Sequence, residues 1–558
     1  MHQVRRLSHH PSIVSYDAVN EAGGFGLFSK FVMTTVAEED PSRVIWPASP
    51  SQRWASGVDR LSGHPNGQPL VNQKWCGRLG CEDTKELHGP YLGDGGGLPT
   101  DAGSMPPAMA AAMPGGGKSM SSPIGAPKNL NTFATASMPP KLQIPADYTP
   151  TASPSNQDSS DGHNFTQVSP GSAGYFVSEF GVTGMASFES LSPSFVPEHF
   201  GVHTQPWRFR NHMPDSMGFS YFGAGRAVFD RVGKAELQAQ LYMSMIGQAL
   251  LYSSMLAEFR STNIHGTITW DLGEIWPCGG WGSLEYGAEA PGALVGGRWK
   301  PSHYTLKHAF ADVITSCGWS NSGLRCYLRN DSPWAVDSAV VTVSLVHLSG
   351  GGASSTGGQW RSPLVQFETP IPSVGETPAS APSNGLIWFC PTRTGPAGQL
   401  PSCENSTASE AGSLSEHGCA TNGTDCVLNI TVRSHGRVTL AENMLALALP
   451  KHLHIQRTVV TAEVVQTSKA ACADPLTCRN GNATIAVRSS LAVACWVVLT
   501  SAAPGRFSDN AFFVLPDAPR YIQFYAFDYV AQAESDDVAN TLAATLRVEH
   551  LWPVIQPV

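Results

Sequence analysis

The sequence predicts a multidomain protein in which an α/β portion precedes an all-β portion, and three observations predict it. A chain of 558 residues that is 42% hydrophobic and only 14% charged is too long for one core and too apolar for disorder. Before about residue 315, short apolar strands alternate with helical or loop segments, which is α/β rhythm. Beyond that point the pattern becomes strict alternation, with Val341, Val343 and Leu345 set against Thr342 and Ser344, as the strands of a β-sandwich require.

In chain order, residues 12–16 (SIVSY) and 43–46 (RVIW) read as short strands that end in polar or proline-containing turns. Residues 93–170 are rich in Gly, Pro, Ser, Ala and Met with almost no charge. Such a stretch buries too little apolar surface to offset its ordering entropy, so 94–170 is expected as a disordered insertion between segments 1–93 and 171–315. A shorter loop of the same kind occupies 349–358. Residues 174–180 (GYFVSEF) form a continuous apolar strand, and 234–260 a long helix with Leu237, Leu241, Met245, Ala249, Leu251 and Tyr252 at helical spacing. A further strand is expected over 266–272 (GTITWDL). Strands then follow at 426–432, 458–465, 492–499 and 521–527, with no long helix. A break near Pro450 divides this portion into two sandwiches, 316–449 and 450–558.

Charge and apolar run length exclude two classes of partner. A net charge of -9 leaves no broad cationic field for a phosphate backbone, so no nucleic acid is expected. The apolar run 491–499 is about half the length a bilayer-spanning helix needs, so no membrane anchor is expected. The first six residues carry basic charge with no apolar run behind them, so they are not expected to serve as a secretory signal.

Cysteines and acceptor triplets point to a compartment. Seven of the twelve cysteines fall between Cys390 and Cys495 and alternate with strand-like sequence, not with histidines, which suits disulfides better than zinc. Cys76 and Cys81 are followed by no second ligand pair, and no metal is expected. Glycan acceptor triplets stand at Asn164, Asn330, Asn405, Asn422, Asn429 and Asn482, favouring a lumenal or extracellular site, with chance occurrence as the alternative.

Two carboxylates, Glu21 and Glu179, lie just past or within short apolar strands, where α/β barrels place their chemistry. An acid inside the run Val177-Ser178-Glu179-Phe180-Gly181 needs a reason, either a functional one or a satisfied ion pair or a place on the rim. As a pair they suit glycoside hydrolysis, in which one carboxyl protonates the leaving oxygen and the other attacks or activates water. Trp270, Trp276, Trp281 and Tyr286 add aromatic faces among Asp271, Glu274 and Glu285, a mixture that suits a sugar or ordinary packing. Trp270 is the strongest candidate because it sits on the predicted strand itself.

The order of RRLSHHPSI (5–13), Asn20-Glu21, SEFG (178–181), WDLGEIW (270–276), SLEYG (283–287), RWKPSHY (298–304) and GRFSDNAFF (505–513) resembles the β-mannosidases of glycoside hydrolase family 2. The resemblance implies part of a (β/α)8 TIM barrel, its carboxy-terminal strands only, followed by two immunoglobulin-like β-sandwich domains. It implies that three barrel strands and two β-domains precede the point corresponding to Met1. It implies a retaining exo-glycosidase acting on terminal β-mannose of oligosaccharides, in a lysosome or vacuole or outside the cell, without a cofactor. In this family the glutamate of Asn-Glu is the acid/base and that of SEFG the nucleophile, roles that carry over to Glu21 and Glu179. The two carboxyl groups are then expected about 5 to 5.5 Å apart. Asn20 would bond the sugar's 2-hydroxyl, Trp270 would floor the terminal-sugar subsite, and Trp276 would join the substrate-binding surface.

The sequence also departs from the family pattern. Asp17-Ala18-Val19 replaces the usual glycine and polar pair before Asn20, the stretch after Tyr91-Leu92-Gly93-Asp94 enters the insertion, and Asp271, Gly273 and Glu274 replace Gln, Asn and Asp. Two alternatives therefore stand beside the β-mannosidase. One is a catalytically inactive carbohydrate-binding or structural derivative, and the other a related hydrolase with another sugar preference.

Overall fold

The computed structural model describes residues 1–11, 13, 15–17, 27–40, 44–46, 84–92, 174–211, 219–222, 231–261, 264, 266–286, 289–290, 293–294, 297–320, 323–349, 360–374, 385–393, 398–403, 414–434, 438–467, 483–527 and 535–555. They divide into two compact units. The insertion expected over 94–170 and most of the loop expected over 349–358 lie outside the described residues.

The first unit, within residues 1–86, contains a parallel pair, β1 (Ser15–Asp17) beside β2 (Val44–Trp46), with the helix Leu27–Glu39 between them in the chain. Parallel strands cannot be joined by a tight turn, and this helix is the crossover. The short helix His2–Leu7 is tied to it by Arg5, whose guanidinium donates to both Glu39 carboxyl oxygens at 2.6 Å. Against the expected strand at 12–16, β1 begins three residues later.

In the second unit, to which β3 (Thr84–Leu92) belongs from Leu87 on, β3, β4 (Gly174–Val182) and β5 (Gly266–Thr269) make a three-stranded sheet in that order, with β4 and β5 parallel. The long helix Lys234–Ser261 precedes β5, as its apolar spacing predicts. It is buried on nearly every side, polar residues included, because each buried polar group has a bond to make. Ser244 Oγ accepts from Met185 N at 2.9 Å, Gln248 Nε2 donates to Val182 O at 2.8 Å, and Gln240 Oε1 accepts from Val202 N at 3.1 Å. The helix thereby holds the chain that leaves β4. A small hairpin, β6 (Glu289–Ala290) and β7 (Ala293–Leu294), and the helix Pro301–Ala309 complete this part.

The strands β8 (Val313–Ser320), β9 (Gly323–Asn330), β10 (Val336–His347), β11 (Arg361–Ile371), β12 (Leu386–Phe389), β13 (Cys426–Ser434) and β14 (Thr439–Ala446) form two sheets, β12-β9-β8 and β11-β10-β13-β14. Val341, Val343 and Leu345 are fully buried against Phe367, Phe389, Leu428 and Ile430, as the alternation requires. Disulfides Cys317–Cys326, Cys390–Cys403 and Cys419–Cys426 fasten these strands and their loops. The last part repeats the plan with β15 (Val460–Thr467), β16 (Ala483–Ser489), β17 (Ala494–Thr500), β18 (Gly505–Phe507), β19 (Phe512–Val514), β20 (Arg520–Ala526) and β21 (Arg547–Glu549), in sheets β15-β16-β20-β18 and β19-β17-β21. The apolar run near 491–499 is β17, buried at every position, and no described helix is long and apolar enough to cross a membrane. One expectation is corrected: Ser535–Thr545 is a helix within the all-β portion, seated by Val538 and Leu542 four residues apart.

Candidate active site

Strand β4 carries the first candidate. Val177 and Phe180 are both fully buried, although three steps along a regular strand lead to opposite faces. The register supplies the reason: Val177 pairs with Thr267 and Phe180 with Thr269, so three steps along β4 match two along β5. The surplus residue makes a β-bulge, a device that re-aims side chains at strand ends. Ser178 and Glu179 lie in it, half-buried between the two core residues.

The expected strand 266–272 stops at Thr269, so Trp270 stands not on the strand but on the segment that leaves it. Its backbone is nonetheless tightly held. Trp270 N donates to Phe180 O at 2.7 Å, and Tyr252 Oη, which accepts from Val182 N at 3.3 Å, donates to Trp270 O at 3.2 Å. The peptide bond between Trp270 and Asp271 is cis. Gly181 completes the fit, because a Cβ there would lie 2.5 Å from Trp270 O and 2.8 Å from the Trp281 ring. The ends of β4 and β5 are thus bonded to one another, and Trp270 still leaves 45% of its surface open.

Trp276 is 40% exposed, with the Arg210 guanidinium 5.5 Å above its ring and Arg210 Nε donating to Pro277 O at 2.7 Å. Leu272 and Ile275 are also exposed, so segment 270–276 presents a largely apolar surface with two indoles. Asn20 and Glu21 lie outside the described residues.

The neighbouring acids have other work. Glu274 receives the ammonium of fully buried Lys300 at 2.5 Å, and Lys300 also donates to Gly184 O at 3.1 Å. Cys278 Sγ lies 3.5 Å from the second Glu274 oxygen, and burial, reinforced by that carboxylate, pushes its thiol up to about 12. Glu285 is buried and accepts from Ser187 N at 2.9 Å, Ser187 Oγ at 2.7 Å and Ser190 Oγ. Asp271 Oδ1 accepts from Gly273 N at 3.1 Å. Lys300 and Arg210 were not singled out by sequence reasoning, and Tyr252 was read only as an apolar position of the long helix. A lysine between an aromatic residue and a proline in the run RWKPSHY is the one signal that could have found the first of them.

Among the described residues one group, His347, Cys419 and Cys426, offers donors within 4.8 Å of one another. The two sulfurs are joined to each other, which removes both thiolates from ligation, and His347 Nε2 lies 2.8 Å from Ser362 Oγ. The arrangement is an imidazole packed on a disulfide.

A family model described as an Ig-fold domain, Ig_mannosidase, matches residues 459–554, the part that contains β15 to β21. Curated relatives include β-mannosidase A of Aspergillus niger, 22% identical over an alignment of 411 residues that covers 68% of this chain and 37% of that protein. The Aspergillus oryzae β-mannosidase A is 22% identical over 428 residues, 71% of this chain and 40% of that protein. Among solved structures, the β-D-mannosidase of Dictyoglomus thermophilum superposes with a TM-score of 0.52 at 14% identity, over 98% of this chain and 50% of that one. The Amycolatopsis orientalis exo-chitosanase gives 0.51 at 13%, over 98% and 52%. The chain therefore spans less than half the length of these curated relatives and about half that of these structures. The resemblance that the ordered motifs carry is thus to β-mannosidases in sequence and to glycoside hydrolases in fold.

Proposed function

From its resemblance to β-mannosidases over more than two thirds of its length, we propose that this chain is a retaining exo-glycosidase that removes terminal non-reducing β-D-mannose from oligosaccharides, including those derived from N-glycans. One observation carries the reading. Glu179 is a half-buried acid in a β-bulge between two fully buried residues, on the strand whose end is bonded to the backbone of exposed Trp270. An acid at such a place needs a bonded partner, a function or both, and the likeness to β-mannosidases favours a function.

In this reading Glu179 attacks the anomeric carbon while protonated Glu21 gives its proton to the departing oxygen. Once the glycosyl-enzyme forms, Glu179 has lost its charge, the proton affinity of Glu21 falls, and Glu21 activates water. Asn20 bonds the 2-hydroxyl, Trp270 stacks beneath the terminal sugar and Trp276 lines the approach. Residues 1–93 and 171–315 belong to a partial (β/α)8 barrel interrupted by 94–170, and 316–449 and 450–558 are two immunoglobulin-like domains. The protein works in a lysosome or vacuole or outside the cell.

The purified chain is expected to release mannose from an aryl β-mannoside, and Glu179→Gln to slow it at least about a thousandfold. Full activity in that variant contradicts the assignment. Since the chain aligns with only 37% of the Aspergillus niger enzyme, a second reading is a binder that does not turn over. Calorimetric binding of a β-mannoside without product would establish it. The fold likeness to an exo-chitosanase makes a glucosaminide the third, and a panel of aryl glycosides separates the sugars.

A further inference from the structure

The lumenal or extracellular residence proposed above has a chemical consequence that, among the described residues, narrows to one side chain. Of the six acceptor triplets, three fall on described residues, at Asn330, Asn422 and Asn429. Asn330 is fully buried and occupied: Nδ2 donates to Trp334 O at 2.8 Å, and Oδ1 accepts from Ser332 N at 3.0 Å and Ser332 Oγ at 2.8 Å. Asn429 is 8% exposed within β13, flanked by Ser344 of β10 on one side and Met444 of β14 on the other. Neither side chain has room for a sugar.

Asn422 is exposed, in the turn before β13. Its Oδ1 accepts from Thr424 N at 3.4 Å and Thr424 Oγ1 at 3.0 Å, so the side-chain carbonyl faces the hydroxyl of its own triplet. Around it opens a cleft of about 430 Å³ lined by Asn422, Thr424, Lys451, His452 and His454. That volume is in the range that holds small ligands. The turn is held in place: Cys419–Cys426 closes the loop that contains the triplet, and His454 N donates to Thr424 O at 2.7 Å. Gly423 has φ 68°, and a Cβ there would meet Leu447 Cβ at 2.4 Å.

We propose that Asn422 carries an N-linked glycan and that Asn330 and Asn429 do not. The donor is a lipid-diphosphate-linked oligosaccharide, supplied with its transferase by the secretory pathway. Nδ2 of Asn422 forms a bond to C1 of the first sugar as the bond from C1 to the diphosphate oxygen breaks. The lipid diphosphate leaves, and one amide proton passes to a base of the transferase. The first sugar then rests in the cleft against His452, His454 and Lys451.

The test expresses the full chain behind a cleavable secretory signal in a eukaryotic cell. Protein from medium and cells is treated with peptide N-glycanase in heavy-oxygen water and mapped by mass spectrometry. Heavy-oxygen aspartate is expected at position 422 and at neither 330 nor 429. Asn422→Gln should remove one glycan from the intact mass, and Thr424→Ser should keep it. Unmodified Asn422, or a glycan on Asn330 or Asn429, overturns the proposal. Because the signal is supplied, this result is separate from residence, which is tested by locating the untagged protein in its own cells.

Discussion

Lys300 is a lysine with no solvent, and its partner Glu274 is the reason it is tolerated. Removing one member of such a pair leaves a buried charge uncompensated, so Lys300→Met should cost roughly 3 to 5 kcal/mol in denaturant unfolding. Adding Glu274→Gln should restore part of the loss, and simple additivity would show that the pair is not coupled. A second buried group sets a pH dependence. Arg547 serves two carboxyls at once, Glu189 at 3.0 Å and Glu549 at 2.5 Å, and burial outweighs its share of attraction to push Glu549 from 4.5 to about 7. Below about 4.5 both folded and unfolded chains hold this proton, and above about 7 neither does. In between the unfolded chain releases it first, so this contribution to stability is present at low pH and is lost as pH rises through 7. Glu549→Gln should therefore gain in melting temperature over the parent between about pH 5 and about pH 7.5. A difference that stays flat with pH would show that Glu549 does not titrate there.

At the scale of elements, the site depends on register more than on composition. Gly181→Ala would drive a Cβ against Trp270 O and the Trp281 ring, a backbone contact that cannot move aside as a flexible side chain would. The expected cost is about 1 to 3 kcal/mol together with a fall in turnover, read by melting and by aryl-mannoside kinetics on the same sample. An unchanged Gly181→Ala enzyme would mean that the approach of β4 to Trp270 has no bearing on catalysis. Much of this was legible in advance. The helix Lys234–Ser261 follows from apolar spacing, and β10 from alternation at Val341, Val343 and Leu345, because both patterns are local. The bulge at Ser178 and Glu179 was not legible, since a bulge exists only relative to a partner strand, and the seven residues GTITWDL do not say where pairing with β4 stops. The helix Ser535–Thr545 was missed because its seat is a single pair, Val538 and Leu542, too few apolar positions to show a period.

Over the second unit, two of the motifs that carry the resemblance prove to be docking parts. Arg298 donates to Ser501 O at 2.8 Å and Ala502 O at 2.9 Å, Tyr304 Oη accepts from Phe507 N at 3.0 Å, and His308 Nε2 lies 2.9 Å from Asp509 Oδ1. RWKPSHY and GRFSDNAFF are thus two faces of one junction between the helix Pro301–Ala309 and the last sandwich. The long helix is joined to that sandwich too, by Tyr242 Oη donating to Trp496 O at 2.9 Å. A fold assembled this way bonds the ends of β4 and β5 to one another and sets half-buried Glu179 on the strand that holds the backbone of exposed Trp270, where the proposed reaction needs its nucleophile. The most direct measurement of that claim is to incubate the chain with a 2-deoxy-2-fluoro-β-mannosyl fluoride, whose slow second step traps the covalent intermediate of a retaining enzyme, and to map the labelled peptide. One fluorosugar, attached to Glu179, is expected. A label on any other carboxylate, or no label at all, would contradict it.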